Sequence, residues 1–202
     1  AIEEVVKNHS LCVLVTRKKN GGKGKALADG VRKADELGLT HVLQIDSDGQ
    51  HDAERVAHFV EVSKKNPDAI ICAYPEYDES APKHRVNGRA IANAWIHTVT
   101  LSKQIKDGMI GFRIYPVAPY VKLLNSHVII DARMGYDIDI LVRLFWKNVP
   151  VICESVKVTY PVDGVSNFRV VRDNARISLT YARLFLGMIV RLPILIFRKI
   201  KG

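Results

Sequence analysis

Short apolar runs alternate with segments of helical periodicity, and this alternation limits the possible folds more than any other feature of the chain. Runs typical of buried strands occur at 11–16, 42–45 and 69–73. Between them, apolar residues recur at helical spacing over 26–37 and 53–65. Strands that alternate with helices of this length are joined by crossovers, which make neighbouring strands parallel. The sequence therefore predicts an α/β fold with a mainly parallel sheet flanked by helices.

The second half of the chain continues this pattern up to about residue 165. After a polar loop at 74–84 we predict a helix, a strand, a helix and two short strands, at 86–101, 110–115, 136–147, 149–153 and 156–160. No internal repeat or low-complexity segment interrupts them. We therefore expect one domain over 1–167, followed by a separate helical segment over 168–202.

Composition excludes several classes of protein. Apolar residues make up 48% of the 202 residues and charged residues 25%, so neither disorder nor a coiled coil describes the whole chain. Cys12, Cys72 and Cys153 are too few and too scattered for a disulfide scaffold or a zinc site. Each lies in an apolar run, which predicts buried thiols in a reducing compartment.

Two carboxylates follow the second predicted strand, in the segment VLQIDSDGQH that ends at His51. Ligands of open α/β sheets bind beyond the carboxyl ends of the strands. Asp46 and Asp48 would repel one another there, and a divalent cation relieves that repulsion. Oxygen ligands suit Mg²⁺ or Mn²⁺, which also bind phosphate. The alternative is a turn in which Asp52 caps the next helix.

Other motifs built on the same residues fit less well. An EF-hand loop beginning at Asp46 needs Gly and Glu where His51 and Ala57 stand. The glycines of NGGKGKAL match neither a P-loop nor a dinucleotide fingerprint. A haloacid-dehalogenase-like phosphatase with Asp46 as nucleophile stays open, although such an enzyme would carry Thr in place of Gln50. A non-catalytic binding module with a basic tail also stays open.

NGGKGKA at 20–26, a helix and then VLQIDSDGQH together resemble the family 2 glycosyltransferases. The D-x-D-x-Q-H pattern is similar to that of dolichyl- and polyprenyl-phosphate mannose synthases. GFRIY at 111–115 and GYDID at 135–139 extend the resemblance. It implies a glycosyltransferase A-type fold whose first strand–helix–strand unit would precede this chain. The chain departs from the family at Cys72-Ala73-Tyr74, where Gly-Ser-Arg is common.

The resemblance implies sugar transfer from a nucleotide-diphosphate donor, with inversion, to a lipid or lipid-phosphate acceptor. Asp46, Asp48 and Gln50 would then hold Mg²⁺ or Mn²⁺. The candidates for binding the nucleotide sugar or its phosphates are Asn20, Lys23, Gly24, Asp46 and Arg113.

Two groups of residues are candidates for handling the acceptor. Asp137 or Asp139 would act as base for a hydroxyl acceptor, although acids at a helix start also stabilise its dipole. A phosphate acceptor needs no base, and the cations expected to position it are Arg85, Arg89 and Arg169. For Arg85 and Arg89, a solvated helix face is the alternative.

The chain's net charge of +9 comes mainly from residues 169–202, which carry eight Lys or Arg and a single acid, Asp173. Long aliphatic stretches between these cations disfavour nucleic acid as the partner. Arg183, Arg191 and Pro193 interrupt the apolar run, which disfavours a spanning helix. The pattern predicts an amphipathic helix on the cytoplasmic face of a membrane. A core helix, a contact between copies of the chain and a true span are the alternatives.

Overall fold

The computed structural model describes residues 2–46, 53–77, 81, 83–158 and 169–201. Within them the chain forms seven helices and four strands. In order these are α1 (Ile2–Asn8), α2 (Lys23–Glu36), β1 (His41–Gln44), α3 (Arg55–Lys65), β2 (Ile70–Glu76), α4 (Lys83–Thr100), β3 (Arg113–Pro116), α5 (Val117–Leu124), α6 (Tyr136–Trp146), β4 (Val151–Lys157) and α7 (Val170–Lys201).

The four strands form one mixed sheet in the order β1-β3-β2-β4. β2 pairs with β4 in parallel, whereas β3 pairs antiparallel with both β1 and β2. β1, β2 and β4 therefore run in one direction, which confirms the expected α/β fold with helices around the sheet. Arg113, the first residue of β3, pairs with Gln44, the last residue of β1. The start of β3 consequently lies at the edge where β1 ends.

β2 is buried on both faces because its side chains alternate between two apolar clusters. Ile70 and Cys72 belong to the larger cluster, to which α2, α4, α5, α6 and α7 contribute. Ile71 and Ala73 belong to the smaller one, beneath α3. There the ring of Phe59 stacks on that of Phe112, with centroids 4.5 Å apart. Burial on both faces explains why β2 reads as a continuous apolar run.

Residues 11–16 do not form the predicted strand. Their backbone has no ladder partner among the described strands, and Leu11 is 97% exposed. Cys12 is exposed as well, and Cys153 is only partly buried, so the prediction of three buried thiols is wrong for these two. An apolar run becomes a buried strand only where a neighbouring strand and a covering layer are present, and periodicity does not report either.

Two other elements differ from the predicted ones. The two short strands predicted at 149–153 and 156–160 are a single strand, β4, which pairs with β2 from Val151 to Lys157; residues 159–160 lie outside the described part. α5 lies in a stretch for which the sequence predicts no element. Pro119 is the third residue of α5, where its missing N–H has no partner to lose.

α7 packs one face against the larger cluster. Its buried apolar side chains are Ile177, Tyr181, Leu184, Met188 and Leu195. The hydroxyl of Tyr181 donates to the carbonyl of Ala92 in α4 at 3.0 Å. By length and composition α7 is the one described helix able to cross a membrane, over Val171–Ile200. Its packing shows that one face is already occupied by the protein itself.

Candidate active site

Three charged side chains converge at the edge where β1 ends and β3 begins. Asp46 lies two residues beyond β1, Lys23 begins α2, and Asp137 is the second residue of α6. The Nζ atom of Lys23 lies 2.6 Å from Oδ1 of Asp46 and 2.8 Å from Oδ2 of Asp137. Burial lowers the pKa of Lys23, but the charges of Asp137 and Asp46 and hydrogen bonds to them raise it overall. The ammonium therefore joins the two carboxylates.

The glycine-rich segment before α2 positions Lys23. The amide of Gly22 donates to Oδ1 of Asn20 at 2.9 Å, and Gly22 has a φ of 88°, which favours glycine. The amide of Gly24 donates to the carbonyl of Ala132 at 3.0 Å, and a Cβ on Gly24 would overlap the ring of Tyr136. These contacts join the start of α2 to the start of α6. The motif is therefore a built connection between two helix starts and not a loose loop.

Asp137 is fixed from three sides. Nε2 of Gln44 donates to its Oδ1 at 2.7 Å, and Lys23 holds its other oxygen. Nη1 of Arg113 donates to its backbone carbonyl at 2.8 Å. We did not predict a role for Gln44, although an amide inside the apolar run VLQI was the available signal. The side chain of Asp137 is thus held in one orientation, toward Asp46.

Arg113 lies behind Asp137 and is fully buried. Its Nη1 also donates to the hydroxyl of Tyr115 at 3.1 Å, while Nε and Nη2 have no hydrogen-bond partner within the described ranges. Burial lowers its pKa, but Tyr115, Cys72 and Asp137 more than offset this and raise it. Arg113 therefore supports the first turn of α6 through its hydrogen bond to the Asp137 carbonyl.

Asp139 belongs to a different network from Asp137. Its Oδ1 accepts from Nε of Arg143 at 2.5 Å, and its Oδ2 accepts from the amide of Asp131 at 2.8 Å. Burial raises the pKa of Asp139, and the neighbouring Arg143 and the Asp131 amide oppose that rise. Asp131 in turn accepts from the hydroxyl of Thr180 at 3.2 Å. The structure thus places Asp139 under the loop before α6, apart from the contact between Lys23 and Asp46.

The carboxylate of Asp46 rests against Gly111. A Cβ added at Gly111 would overlap all three atoms of that carboxyl group, so no other residue fits there without moving Asp46. Asp46 and Asp137 offer only oxygen atoms, which suits Mg²⁺ or Mn²⁺. No cluster of three or more His, Cys, Asp or Glu occurs among the described residues. The remaining predicted ligands, Asp48 and Gln50, lie outside those residues.

The three arginines expected to meet the acceptor are not brought together by contacts of the described residues. Arg89 donates from Nη1 to Oδ2 of Asp107 at 3.2 Å and lines a cavity of about 220 Å³. Arg169 is exposed at the start of α7, where its amide donates to Oδ2 of Asp173 at 2.8 Å. Arg85 lies in α4, and its side chain is outside the described part of the structure.

A family model identifies the family of this chain, and solved structures show its fold. The family model described as glycosyl transferase family 2 matches residues 1–139. A search of curated proteins returned no match. Among solved structures, glucosyl-3-phosphoglycerate synthase from Mycobacterium tuberculosis with phosphoglyceric acid has a TM-score of 0.58 and 13% identity, covering 85% of this chain and 56% of that one.

Two further complexes of the same mycobacterial enzyme are similar to this chain. With Mn²⁺ and UDP-glucose, the TM-score is 0.55 at 14% identity, over 87% of this chain and 56% of that one. With Mn²⁺, UDP-glucose and glycerol 3-phosphate, the TM-score is 0.56 at 13% identity, over 85% of this chain and 56% of that one. At this identity the likeness is one of fold. The chain spans about half the length of these solved structures.

Proposed function

We propose that this chain, which belongs to glycosyl transferase family 2, transfers a sugar with inversion from a nucleotide-diphosphate donor and requires a divalent cation. The convergence of Asp46, Asp137 and Lys23 at one sheet edge carries the proposal. It combines oxygen ligands for a cation with a positive charge for a diphosphate. The mycobacterial enzyme of similar fold binds Mn²⁺ and UDP-glucose, which supports the same donor chemistry here.

Asp46, Asp48 and Gln50 are the residues that we propose to hold Mg²⁺ or Mn²⁺. When bound, the cation would stabilise the negative charge that develops on the departing nucleoside diphosphate. Lys23 supplies a second positive charge next to Asp46, at 2.6 Å. The amides of Gly22 and Gly24 are already hydrogen-bonded to Asn20 and Ala132, so the helix dipole at the start of α2 and the ammonium of Lys23 are what favour phosphate there. Asn20, Lys23 and Gly24 are therefore the proposed phosphate-binding segment.

Asp137 is the proposed base for a hydroxyl acceptor, because its carboxylate is held beside Asp46. Asp139 and Arg113 are proposed as positioning residues. Asp139 anchors the loop before α6, and Arg113 holds the Asp137 backbone. If the acceptor is a phosphate, Asp137 has no proton to remove and serves only to orient Lys23.

A phosphate-bearing acceptor is supported by the cavity between β2 and α4. Tyr74, Arg89, Asn93 and Lys106 line it. Arg89 is paired with Asp107, so Lys106, whose Nζ lies 4.2 Å above the ring of Tyr74, supplies the unbalanced positive charge. The mycobacterial enzyme binds phosphoglyceric acid and glycerol 3-phosphate. Arg85 and Arg169 remain candidates for the same acceptor.

The exposed face of α7 supports an acceptor that resides in a lipid membrane. Apolar side chains of this face include Leu186, which is 64% exposed, and Val190, which is 79% exposed. Trp95 of α4 continues this apolar surface, since its ring packs on Phe185. Four arginines, spaced seven or eight residues apart, lie half-buried along α7 at 176, 183, 191 and 198. Such a helix suits the surface of an anionic membrane.

We infer that α7 lies on the cytoplasmic face of the membrane and does not cross it. Crossing would expose the buried face, from Ile177 to Leu195, to lipid and break its contacts with α4 and α6. Arg191 stacks on Trp146, 4.8 Å from the ring centroid, so its charge is held by the protein. Pairing of two copies through the same apolar face is the alternative.

The function is tested by equilibrium binding of UDP-glucose, UDP-galactose, GDP-mannose and ADP-glucose to the purified protein. We expect one of these nucleotide sugars to bind in the presence of Mn²⁺ or Mg²⁺ and to be released by EDTA. Release of phosphate from p-nitrophenyl phosphate would instead favour the phosphatase. Absence of metal-dependent binding to any nucleotide sugar would contradict the proposal.

Membrane association is tested by flotation with vesicles of phosphatidylcholine and phosphatidylglycerol. The double substitution Leu186→Asp and Val190→Asp is expected to reduce the bound fraction at least roughly tenfold, because each side chain contributes about 1.5–3 kcal/mol when buried. Both residues are exposed, so the fold should persist. Ile129→Asp, on an exposed loop, is the matched control and should not change flotation. Loss of a dimer without any change in flotation would favour pairing of two copies.

A further inference from the structure

Lys23 lies at the N-terminus of α2, where the helix dipole disfavours a positive charge. It is the first residue of α2, and the first turn of α2 contains no acidic residue. The positive end of the helix dipole disfavours a cation there, and the dipole by itself would favour Asp or Glu. Its position is therefore explained by the two carboxylates that it contacts, Asp46 and Asp137.

The two carboxylates that Lys23 contacts are unequal. The side chain of Asp137 is 8% exposed, and Gln44 and Lys23 each hold one of its oxygens. The side chain of Asp46 is 29% exposed, and the described residues give it no other ion pair. Asp137 is thus the fixed end of the bridge, and Asp46 is the end that a ligand can reach from solvent.

A divalent cation on Asp46 would meet the ammonium of Lys23 on the same carboxylate. Two like charges that share one carboxylate oppose each other, and this repulsion is strong where water is partly excluded. A nucleoside diphosphate reverses the balance, because its negative charge attracts both the cation and the ammonium. Lys23 should therefore weaken binding of the cation alone and strengthen binding of the cation together with a diphosphate.

We propose that Lys23 is a built-in competitor of the divalent cation at Asp46, and that it makes cation and donor bind as a pair. This inference rests on the proposed function. Between turnovers the ammonium lies between Asp46 and Asp137 and offsets one of their two negative charges, which reduces the repulsion between the two acids without a cation. When the donor is bound, the ammonium serves its diphosphate, with Asp137 as the anchor of the lysine.

The test compares Lys23→Met with the unaltered protein in two binding measurements. The first is binding of Mn²⁺ alone, followed by the loss of the electron paramagnetic resonance signal of Mn²⁺ in solution. We expect Lys23→Met to bind Mn²⁺ roughly tenfold more tightly, since one positive charge next to Asp46 is removed. The second is binding of UDP, GDP or ADP, whichever the unaltered protein binds best, at saturating Mn²⁺. We expect this binding to weaken roughly tenfold or more.

Lys25→Met is the matched control, because Lys25 lies on the same first turn of α2 and is exposed. It removes the same charge without touching the two carboxylates, so both affinities should stay within about twofold of the unaltered values, as expected for exposed charges. The opposite signs of the two Lys23→Met effects separate competition from damage to the fold, which would weaken both.

Two results would overturn the inference by itself. In both, the unaltered protein binds Mn²⁺ and a nucleotide. In the first, Lys23→Met binds Mn²⁺ no more tightly than the unaltered protein does. In the second, the affinity of Lys23→Met for the nucleotide does not fall. If the unaltered protein binds neither Mn²⁺ nor any of the three nucleotides, the proposed function fails and the inference fails with it.

Discussion

Asp46→Asn is expected to abolish metal-dependent binding of the nucleotide sugar while leaving the protein folded. The substitution keeps the size of the side chain, which packs on Gly111, and removes the negative charge that a divalent cation requires. We expect affinity for the donor in Mn²⁺ to fall at least roughly a hundredfold. Asp48→Ala should have the same effect, because both acids belong to the proposed ligand set. Calorimetric titration of each variant, with circular dichroism as the check on folding, measures this.

The same loss should follow from Gly111→Ala, which leaves every charge in place. A Cβ at Gly111 would overlap the Asp46 carboxylate and displace it, and a displacement of about 1 Å in a site is enough for a roughly hundredfold loss. Gly30→Ala is the control, since Gly30 lies inside α2 with no atom within 4 Å of the added Cβ. That control should stabilise the protein by about 0.5–1 kcal/mol. Normal donor binding by Gly111→Ala would contradict the placement of Asp46.

The order of helices and strands was largely predictable, because local periodicity determines it. β1, β2, α2, α3 and α6 lie close to their predicted ranges. The direction of β3 was not predictable, since nothing in residues 110–115 indicates whether this strand runs parallel or antiparallel to its neighbours. That direction matters for the site, because it places Gly111 against Asp46.

The members of the site were easier to predict than their partners. Asp46, Lys23 and Asp137 stand in short motifs that the sequence displays. Gln44 and Asp137 are separated by 93 residues, and their hydrogen bond exists only because β1 and the start of α6 meet in the fold. The different surroundings of Asp137 and Asp139 were equally hidden, since the two acids share one motif and one helical turn.

The surroundings of α7 could not be predicted from its residue pattern alone. Its sequence is apolar on most sides, so the helix could be placed in a core, on a membrane or across one. The contacts of Tyr181 and Leu184 with the larger cluster identify the side that the protein occupies. The opposite side, with Leu186 and Val190, is left for a partner. The tertiary structure thus distinguishes two sides of α7, one buried and one exposed, that the apolar sequence does not distinguish.

Asp137→Asn is expected to lower kcat by roughly 10²–10⁴-fold, the usual contribution of a general base, while donor affinity changes much less. Asparagine retains an oxygen that accepts the hydrogen bond from Gln44, so the side chain should stay in place. The split between kcat and donor affinity is what distinguishes a base from a residue that only binds the donor. Steady-state kinetics together with donor titration, at saturating Mn²⁺, measure it.

Asp139→Asn should instead lower stability and leave turnover largely unchanged. Each of the two variants therefore serves as a control for the other. The substitution leaves Arg143, whose side chain is 12% exposed, without a charged partner, and we expect a cost of about 1–3 kcal/mol of stability. We expect a lower midpoint of thermal unfolding and, in the molecules that remain folded, a turnover close to normal. Full turnover by Asp137→Asn would contradict its role as base. Given that metal-dependent donor binding persists, that outcome would favour an acceptor that is already ionised, such as a lipid phosphate bound near Arg89 and Lys106.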